Sequence, residues 1–449
     1  MKYMKLHKLP ISSKICYFFL LVVMGIILPG KRIIAQETRT LLVEKVQIEG
    51  NSKTRTEVIQ NYLNITEGQE ITREQLQAAK SRLEATNFFK NVEMNIRPGS
   101  LKGRAIVTVK VKERYWPYFQ FKSGFNELDG WYLSPFGIRF DNLFGRGNRF
   151  GLEYLIGDRI SGLQLEYVRP YLWGTEYDLQ IRIRGFNRDF VHFLNDSTRT
   201  RQNIIDNEFM VRLSGNSGIP QYFSIAWISQ NVEADSFLTQ GENQPPLPSY
   251  LLPFAGKKEL RRYLLAVSID TRDRRLSPRM GWWGSISFEQ SSKQLGSFVD
   301  YTRIVLDIRR YQPVYKDLIG AVRFKWGRVG ESAPFYDKFY LGGPNSLRGY
   351  EDRGLTPPGY AAQIIQTSAE LRFPLSFRKR DKSPLIGVLF YDSGSAWNSP
   401  TTLNTTRFHS GAGFGLRIKL PIVGLLRMDF AYPIPEGEFQ LHFSLGHTF

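Results

Sequence analysis

Few side chains in this chain could do bond-making chemistry. The only cysteine is Cys16, and the five histidines, His7, His192, His409, His442 and His447, include no H-x-x-x-H pair. No G-x-S-x-G elbow or phosphate-cradling glycine loop stands in a suitable context, so the expectation is no catalytic residue, no metal site and no cofactor. A different chemistry is written in Phe339-Tyr340-Leu341-Gly342-Gly343-Pro344-Asn345-Ser346-Leu347-Arg348-Gly349-Tyr350. Arg348 presents a planar fork of donors that pairs bidentately with carboxylates, and in a partly dry interior it is costly to leave unpaired. Gly349 permits close backbone approach, and Tyr350 can pack against a wall. This is the chemistry of a conformational pin, and a pin needs an enclosure.

The elements that supply it begin after an export segment. Lys2, Lys5, Lys8 and Lys14 precede an apolar run from Ile15 to Leu28, then Pro29, Gly30 and a candidate cut after Ala35. The run is short for a spanning helix, so residues 1–35 read as a signal peptide, with a membrane anchor as the alternative. The mature chain would then hold no cysteine, which excludes a disulfide scaffold and thiolate chemistry. The formal charge of +18 includes six Lys/Arg and no Asp/Glu in residues 1–35, leaving 54 basic and 42 acidic residues, or +12. These cations are dispersed through alternating strands and turns, which argues against nucleic acid and for a basic lumen with contacts to anionic head groups.

Residues 37–115 switch period in the order strand, helix, helix, strand, strand. Leu42 to Ile48 suggests a strand, with Gly50-Asn51-Ser52 as its turn. Thr54 to Leu63 carries Val58, Ile59 and Leu63, and Thr72 caps a run with Leu76, Ala79, Leu83 and Phe88 at helical spacing. Asn91–Ile96 and Arg104–Val111 alternate as strands. From Trp116 onward the chain breaks into short alternating runs. Leu179, Ile181 and Ile183 share one face while Gln180, Arg182 and Arg184 share the other; Ile365 to Arg372 and Phe439 to Gly446 behave alike.

That dyad pattern fits a transmembrane β-barrel, and about sixteen candidate strands are present, an even number as such barrels require. A soluble sandwich strand shows the same alternation. The connections separate the two: long segments at Asn187–Asp206, Asn231–Glu259, Gly327–Tyr360 and Ser395–Arg407 follow odd strands, while tight ones at Asn142–Asn148, Gly174–Tyr177, Gly215–Gln221 and Pro421–Gly424 follow even strands. Loops segregated by strand parity place the long ones on one rim, with short turns facing the periplasm. Closure brings a first strand near Tyr118–Phe125 beside a last strand near Phe439–Phe449.

The Phe339–Tyr350 run, F-x-x-G-G leading into R-G-Y, resembles the lumen-loop signature of the BamA-like outer-membrane assembly barrels. Phe140 to Arg149 is similar to their second-to-third strand turn, and Asp270-Thr271-Arg272-Asp273, with Pro278 and Gly281, to the turn after strand eight. Phe390-Tyr391-Asp392-Ser393-Gly394 resembles strand thirteen, and Gly411 to Leu420 with Leu426 to Pro433 resemble strands fourteen and fifteen. Residues 37–115, with Val46-Gln47-Ile48-Glu49-Gly50-Asn51 and Asn87-Phe88-Phe89-Lys90-Asn91-Val92, resemble one POTRA domain, the superfamily's periplasmic module. The terminal Phe449 is similar to an outer-membrane targeting signal, and Gly446 matches the glycine at which the last strand of such barrels can bend inward.

The resemblance implies an all-β barrel spanning residues 116–449 in the outer membrane, with the POTRA-like domain in the periplasm. It implies that Arg348 is received by Glu370 on strand twelve and Asp392 on strand thirteen, with Phe390 and Gly394 beside them. It further implies an insertase that folds unfolded outer-membrane protein clients through a lateral seam, among outer-membrane lipid, with periplasmic chaperones or accessory lipoproteins as further partners. The alternatives are a dedicated polypeptide secretion pore resembling two-partner secretion transporters, a passive channel, and an enzyme whose triad is assembled from distant strands.

Overall fold

The computed structural model describes residues 40–445 apart from 116, 127–128, 195–197, 216–220, 275–276, 376–384, 421–423 and 436. The export segment, Gly446 and Phe449 lie outside the described residues. No helix among the described residues is long and apolar enough to cross a membrane.

The small domain runs β1 (Leu41–Glu49), α1 (Thr56–Leu63), β2 (Glu70–Ile71), α2 (Arg73–Ala85), β3 (Phe89–Pro98) and β4 (Arg104–Glu113). Its sheet has the order β2-β1-β4-β3, with β1 parallel to β4. Thr72 starts α2 because its hydroxyl accepts from Gln75 N at 3.2 Å while Gln75 Oε1 accepts from Thr72 N at 2.8 Å, a reciprocal capping box. Ile59, Leu63, Leu76, Ala79 and Leu83 from the helices meet Val43, Val107 and Val109 of the sheet in one core. The strand β2 was not expected from the sequence, because two residues carry no readable period.

The second sheet has sixteen antiparallel strands in sequence order: β5 (Tyr118–Asn126), β6 (Gly130–Leu143), β7 (Asn148–Gly157), β8 (Ile160–Arg169), β9 (Tyr177–Leu194), β10 (Thr198–Gly215), β11 (Gln221–Ala234), β12 (Gly256–Asp270), β13 (Gly281–Ser291), β14 (Tyr301–Tyr315), β15 (Leu318–Val329), β16 (Gln363–Pro374), β17 (Leu385–Trp397), β18 (His409–Leu420), β19 (Gly424–Ile434) and β20 (Gln440–Leu445). Strand alternation sorts its two faces. Ile183, Leu265, Ile286, Phe288, Leu389, Phe414, Leu441 and Phe443 are exposed on the outside, where lipid replaces water. The inner face buries charge in pairs: Arg182 and Arg184 on Glu208, Arg309 and Arg323 on Asp307, and Arg262 on Glu289 and Asp337. The expected basic lumen is therefore a lattice of ion pairs.

One expected loop is corrected. Asn187–Asp206 is not a long connection; β9 and β10 pair continuously from Leu194↔Thr198 down to Tyr177↔Gly215. The runs Asn187–Asp189 and Thr198–Asn203 are polar on both faces, which hides the alternation, while the backbone bonds of the ladder do not depend on side chains. The remaining long connections, 235–255, 330–362 and 398–408, stand on one rim. Two of them fold inward and pack: Leu238, Leu247, Leu251, Phe335 and Tyr360 form a core with Phe190, Ile204 and Val232, and Phe339, Leu341 and Leu347 another with Leu260, Tyr301, Val329 and Ile364.

The small domain docks on the opposite rim. Asn142 Nδ2 donates to Thr54 Oγ1 at 2.8 Å, Arg55 N to Gly145 O at 3.0 Å, and Tyr171 Oη to Asn61 O at 2.9 Å. Gly145 and Gly147 both have positive φ, and a Cβ at Gly145 would overlap the Lys53 carbonyl. The Phe140–Arg149 turn is thus a socket for the segment ahead of α1. Strands β5 and β20 lie side by side, with Cα atoms within 8 Å, yet among the described residues no backbone ladder joins them.

Candidate functional site

The long connection 330–362 carries Arg348 into the lumen, where its side chain is 1% exposed. Arg348 Nε donates to Asp392 Oδ2 at 2.6 Å and Nη2 to Asp392 Oδ1 at 2.8 Å, the bidentate fork. Nη1 donates to Glu370 Oε1 at 2.8 Å, and Nη2 also reaches Ser368 Oγ at 3.2 Å. The guanidinium carbon lies 3.6 Å from the centroid of the Phe390 ring, a close cation–π contact. Alternation on β16 and β17 aims Ser368, Glu370, Phe390 and Asp392 inward, and the register pairs Ser368 with Asp392 and Glu370 with Phe390. The Arg348 side chain is therefore enclosed by one cross-strand patch.

The rest of the motif is shaped around that patch. Phe339 is buried beneath Arg303, whose guanidinium carbon is 5.0 Å from its ring. Gly342 and Gly343 both turn the chain with positive φ. Gly349 has φ +96°, and a Cβ there would stand 3.0 Å from the Tyr432 carbonyl carbon, so only glycine fits. Tyr350 Oη donates to Ser410 O at 3.1 Å and its ring meets His409 edge-on. At Gly394 a Cβ would lie 2.7 Å from Ile365 O and 3.5 Å from Leu341, the closeness that lets the loop sit against β17.

Sequence reasoning stopped at two carboxylates, and the patch is wider. Asp429 on β19 lies 3.6 Å from Arg348 Nη1 and pairs with Arg417 at 2.7 Å and Arg427 at 3.1 Å. Arg372 closes on the second oxygen of Glu370 at 2.8 Å. Arg427 Nη2 donates to Pro344 O and Nη1 to Asn345 Oδ1, both at 2.8 Å. Gly349 N donates to His442 Nε2 on β20 at 3.1 Å, and Asn345 Nδ2 donates to Phe125 O on β5 at 3.3 Å. Arg353, a second buried arginine of the loop, donates to Val191 O at 3.0 Å and Tyr360 Oη at 2.7 Å. A signal for Arg427 and Asp429 was present: Leu426-Arg427-Met428-Asp429-Phe430 alternates, so both charges share the inner face.

Chemically, this arrangement holds a loop and touches both ends of the sheet. Among the described residues no group of three His, Asp or Glu side chains is placed to hold a metal ion.

The Omp85 superfamily domain matches residues 142–449, and the POTRA family, described as a surface antigen variable number repeat, matches residues 41–114. The outer membrane protein assembly factor BamA of Neisseria meningitidis serogroup B is 24% identical over 471 residues, covering 92% of this chain and 57% of its own length. BamA of Nitratidesulfovibrio vulgaris is 21% identical over 440 residues, covering 93% and 52%. The chain thus spans about half the length of these curated relatives. Among solved structures, BamA from Haemophilus ducreyi lacking POTRA domains 1–3 superposes with a TM-score of 0.64 at 20% identity, covering 90% of this chain and 84% of that one. CdiB from Acinetobacter baumannii gives 0.58 at 16%, covering 91% and 74%. These likenesses establish the barrel and its periplasmic module, and the protein resides in the outer membrane. With the family match extending over most of the chain and a POTRA domain ahead of it, this protein belongs to the Omp85 superfamily and is BamA-like.

Proposed function

We propose that the protein is an outer-membrane assembly factor that folds client β-barrel proteins into the outer membrane through the seam between β5 and β20. The observation that carries this reading is the reach of the lumen loop: Asn345 bonds to β5, Gly349 bonds to β20, and no ladder joins those strands among the described residues. An unpaired strand edge offers sequence-tolerant hydrogen bonding to an incoming strand. Arg348, received by Glu370 and Asp392, holds the loop that keeps the seam closed; its role is positional, and client folding supplies the free energy. The similarity to BamA relatives supports protein clients, with outer-membrane lipid as the surrounding medium. Periplasmic chaperones and accessory lipoproteins belong to the same proposal.

The second reading is a dedicated polypeptide secretion pore, favoured by the likeness of the fold to CdiB. One experiment separates the two. The folding rate of a denatured small outer-membrane barrel is measured in liposomes with wild-type protein, with Arg348→Ala, and without protein. Acceleration by wild type that is lost in the variant supports assembly. No acceleration by a protein confirmed as folded overturns it in favour of secretion.

A further inference from the structure

The outer wall of β13, β14 and β15 changes character toward the rim that docks the POTRA domain. Ile286 and Phe288 are exposed on β13, opposite Leu306 and Ile304 of β14, and the same outward row continues as Gly284↔Ile308 and Trp282↔Arg310. The neighbouring row, Asp307, Arg309 and Arg323, is the inward one and is bonded within the lumen. Arg310 therefore faces outward, next to the turn 271–280, which lies on the same rim as Asn142 and Gly145.

Its surroundings are built. The Arg310 guanidinium carbon stands 4.8 Å from the centroid of the Trp282 ring, and Nη2 donates to Gln312 Oε1 at 3.0 Å. Nε is buried without a hydrogen-bond partner, and no carboxylate among the described residues forms an ion pair with Arg310. Gly284 and Gly320 occupy the outward positions diagonal to Arg310, paired with Ile308 and Gln312, so neither position adds a side chain beside the guanidinium. Arg310 thus stands as a braced cation on the outer wall, with Trp282 and Val322 opposite it on the two neighbouring strands.

A guanidinium on the lipid face is unfavourable in hydrocarbon and tolerable at the interface, and tryptophan concentrates at that level. The anion available there is phosphate, which a guanidinium fork binds well. We infer that Arg310, braced by Trp282 and Gln312, seats the phosphate of a phospholipid head group at the periplasmic edge of the barrel.

The test is native mass spectrometry of the mature protein released from nanodiscs of phosphatidylglycerol and phosphatidylcholine, with folding checked by heat-modifiable gel mobility. Wild type should retain a phospholipid that excess inorganic phosphate does not displace. Arg310→Gln should hold it about tenfold more weakly, the loss of one hydrogen bond to a charged group. Arg328→Gln, which removes an exposed arginine near the far end of β15, should leave retention unchanged. Should Arg310→Gln not fold, Arg310→Lys and Trp282→Leu carry the test, each expected to weaken retention. Retention equal to wild type in the Arg310 variant that folds overturns the assignment, and so does full displacement by inorganic phosphate, which would mark a free-anion site.

Discussion

The side-chain amide of Asn345 donates to the Phe125 carbonyl at 3.3 Å, tying the tip of the lumen loop to the first barrel strand. The same amide's oxygen accepts from Arg427 on β19, and four residues on, Gly349 reaches His442 on the last strand. Two strands that share no ladder among the described residues are thus stitched through a third segment. Asn345→Ala should loosen this stitch at a cost of about 2–3 kcal/mol, since it removes one neutral hydrogen bond and one from a guanidinium. Spin labels on cysteines placed at the exposed positions Phe119 and Phe443 should report a longer, broader distance distribution across the seam. An unchanged distribution would show that Asn345 does not restrain it.

Arg348→Ala leaves Asp392 and Glu370 without the cation between them. Breaking a buried pair by removing one partner costs about 3–5 kcal/mol, so thermal unfolding of the purified barrel should fall clearly and client folding should slow. Arg348→Lys should restore only part of either, because an ammonium cannot fork onto both Asp392 oxygens while stacking on Phe390.

Glu113 gives the POTRA domain an acid dependence. Burial alone would raise its carboxyl pKa, but hydrogen bonds from the Thr54 hydroxyl and amide, the Ser52 hydroxyl and the Lys53 amide outweigh it, and the folded-state value is lowered. A depressed folded pKa contributes stability above the unfolded carboxylate range and loses it as pH falls through the folded value. The protection of the Lys53 and Thr54 amides against hydrogen exchange, taken relative to the intrinsic exchange rate at each pH, should therefore fall below about pH 4, near the unperturbed glutamate pKa. In Glu113→Gln that acid-dependent step should vanish.

Asn142 is the hub of the socket. It donates to Thr54 Oγ1 and its own oxygen accepts from Gly147 N at 2.8 Å. Asn142→Ala should widen the distribution of POTRA orientations seen by small-angle scattering in nanodiscs, while the POTRA domain, whose own core cluster does not include Asn142, keeps its circular dichroism.

Much of the site was legible because its signals are local. Arg348 stands in a loop motif, and the family resemblance implies Glu370 and Asp392 as its partners; strand alternation places Glu370 on a polar face. His442 was visible in the alternation of the last strand, but nothing in its neighbours says that it accepts from Gly349, ninety-odd residues earlier. Asn345 carries no such signal, since its two partners, Phe125 and Arg427, meet only when the sheet curls. The β9–β10 hairpin is hidden for the opposite reason: the runs Asn187–Asp189 and Thr198–Asn203 are polar on both faces, and the backbone ladder leaves no mark on composition.

The inward-folded connections have a consequence for the cell that owns this wall. A sixteen-stranded cylinder in the outer membrane is a standing leak for nutrients, detergents and antibiotics. Here Leu238, Leu247, Leu251, Phe335 and Tyr360 pack with Phe190, Ile204 and Val232 of the wall near the long-loop rim, and the arginine-rich patch is buried in the lumen. The sieving limit of the envelope is then preserved by segments that would ordinarily be free to drift in sequence, and substitutions in them should surface first as hypersensitivity to bulky drugs.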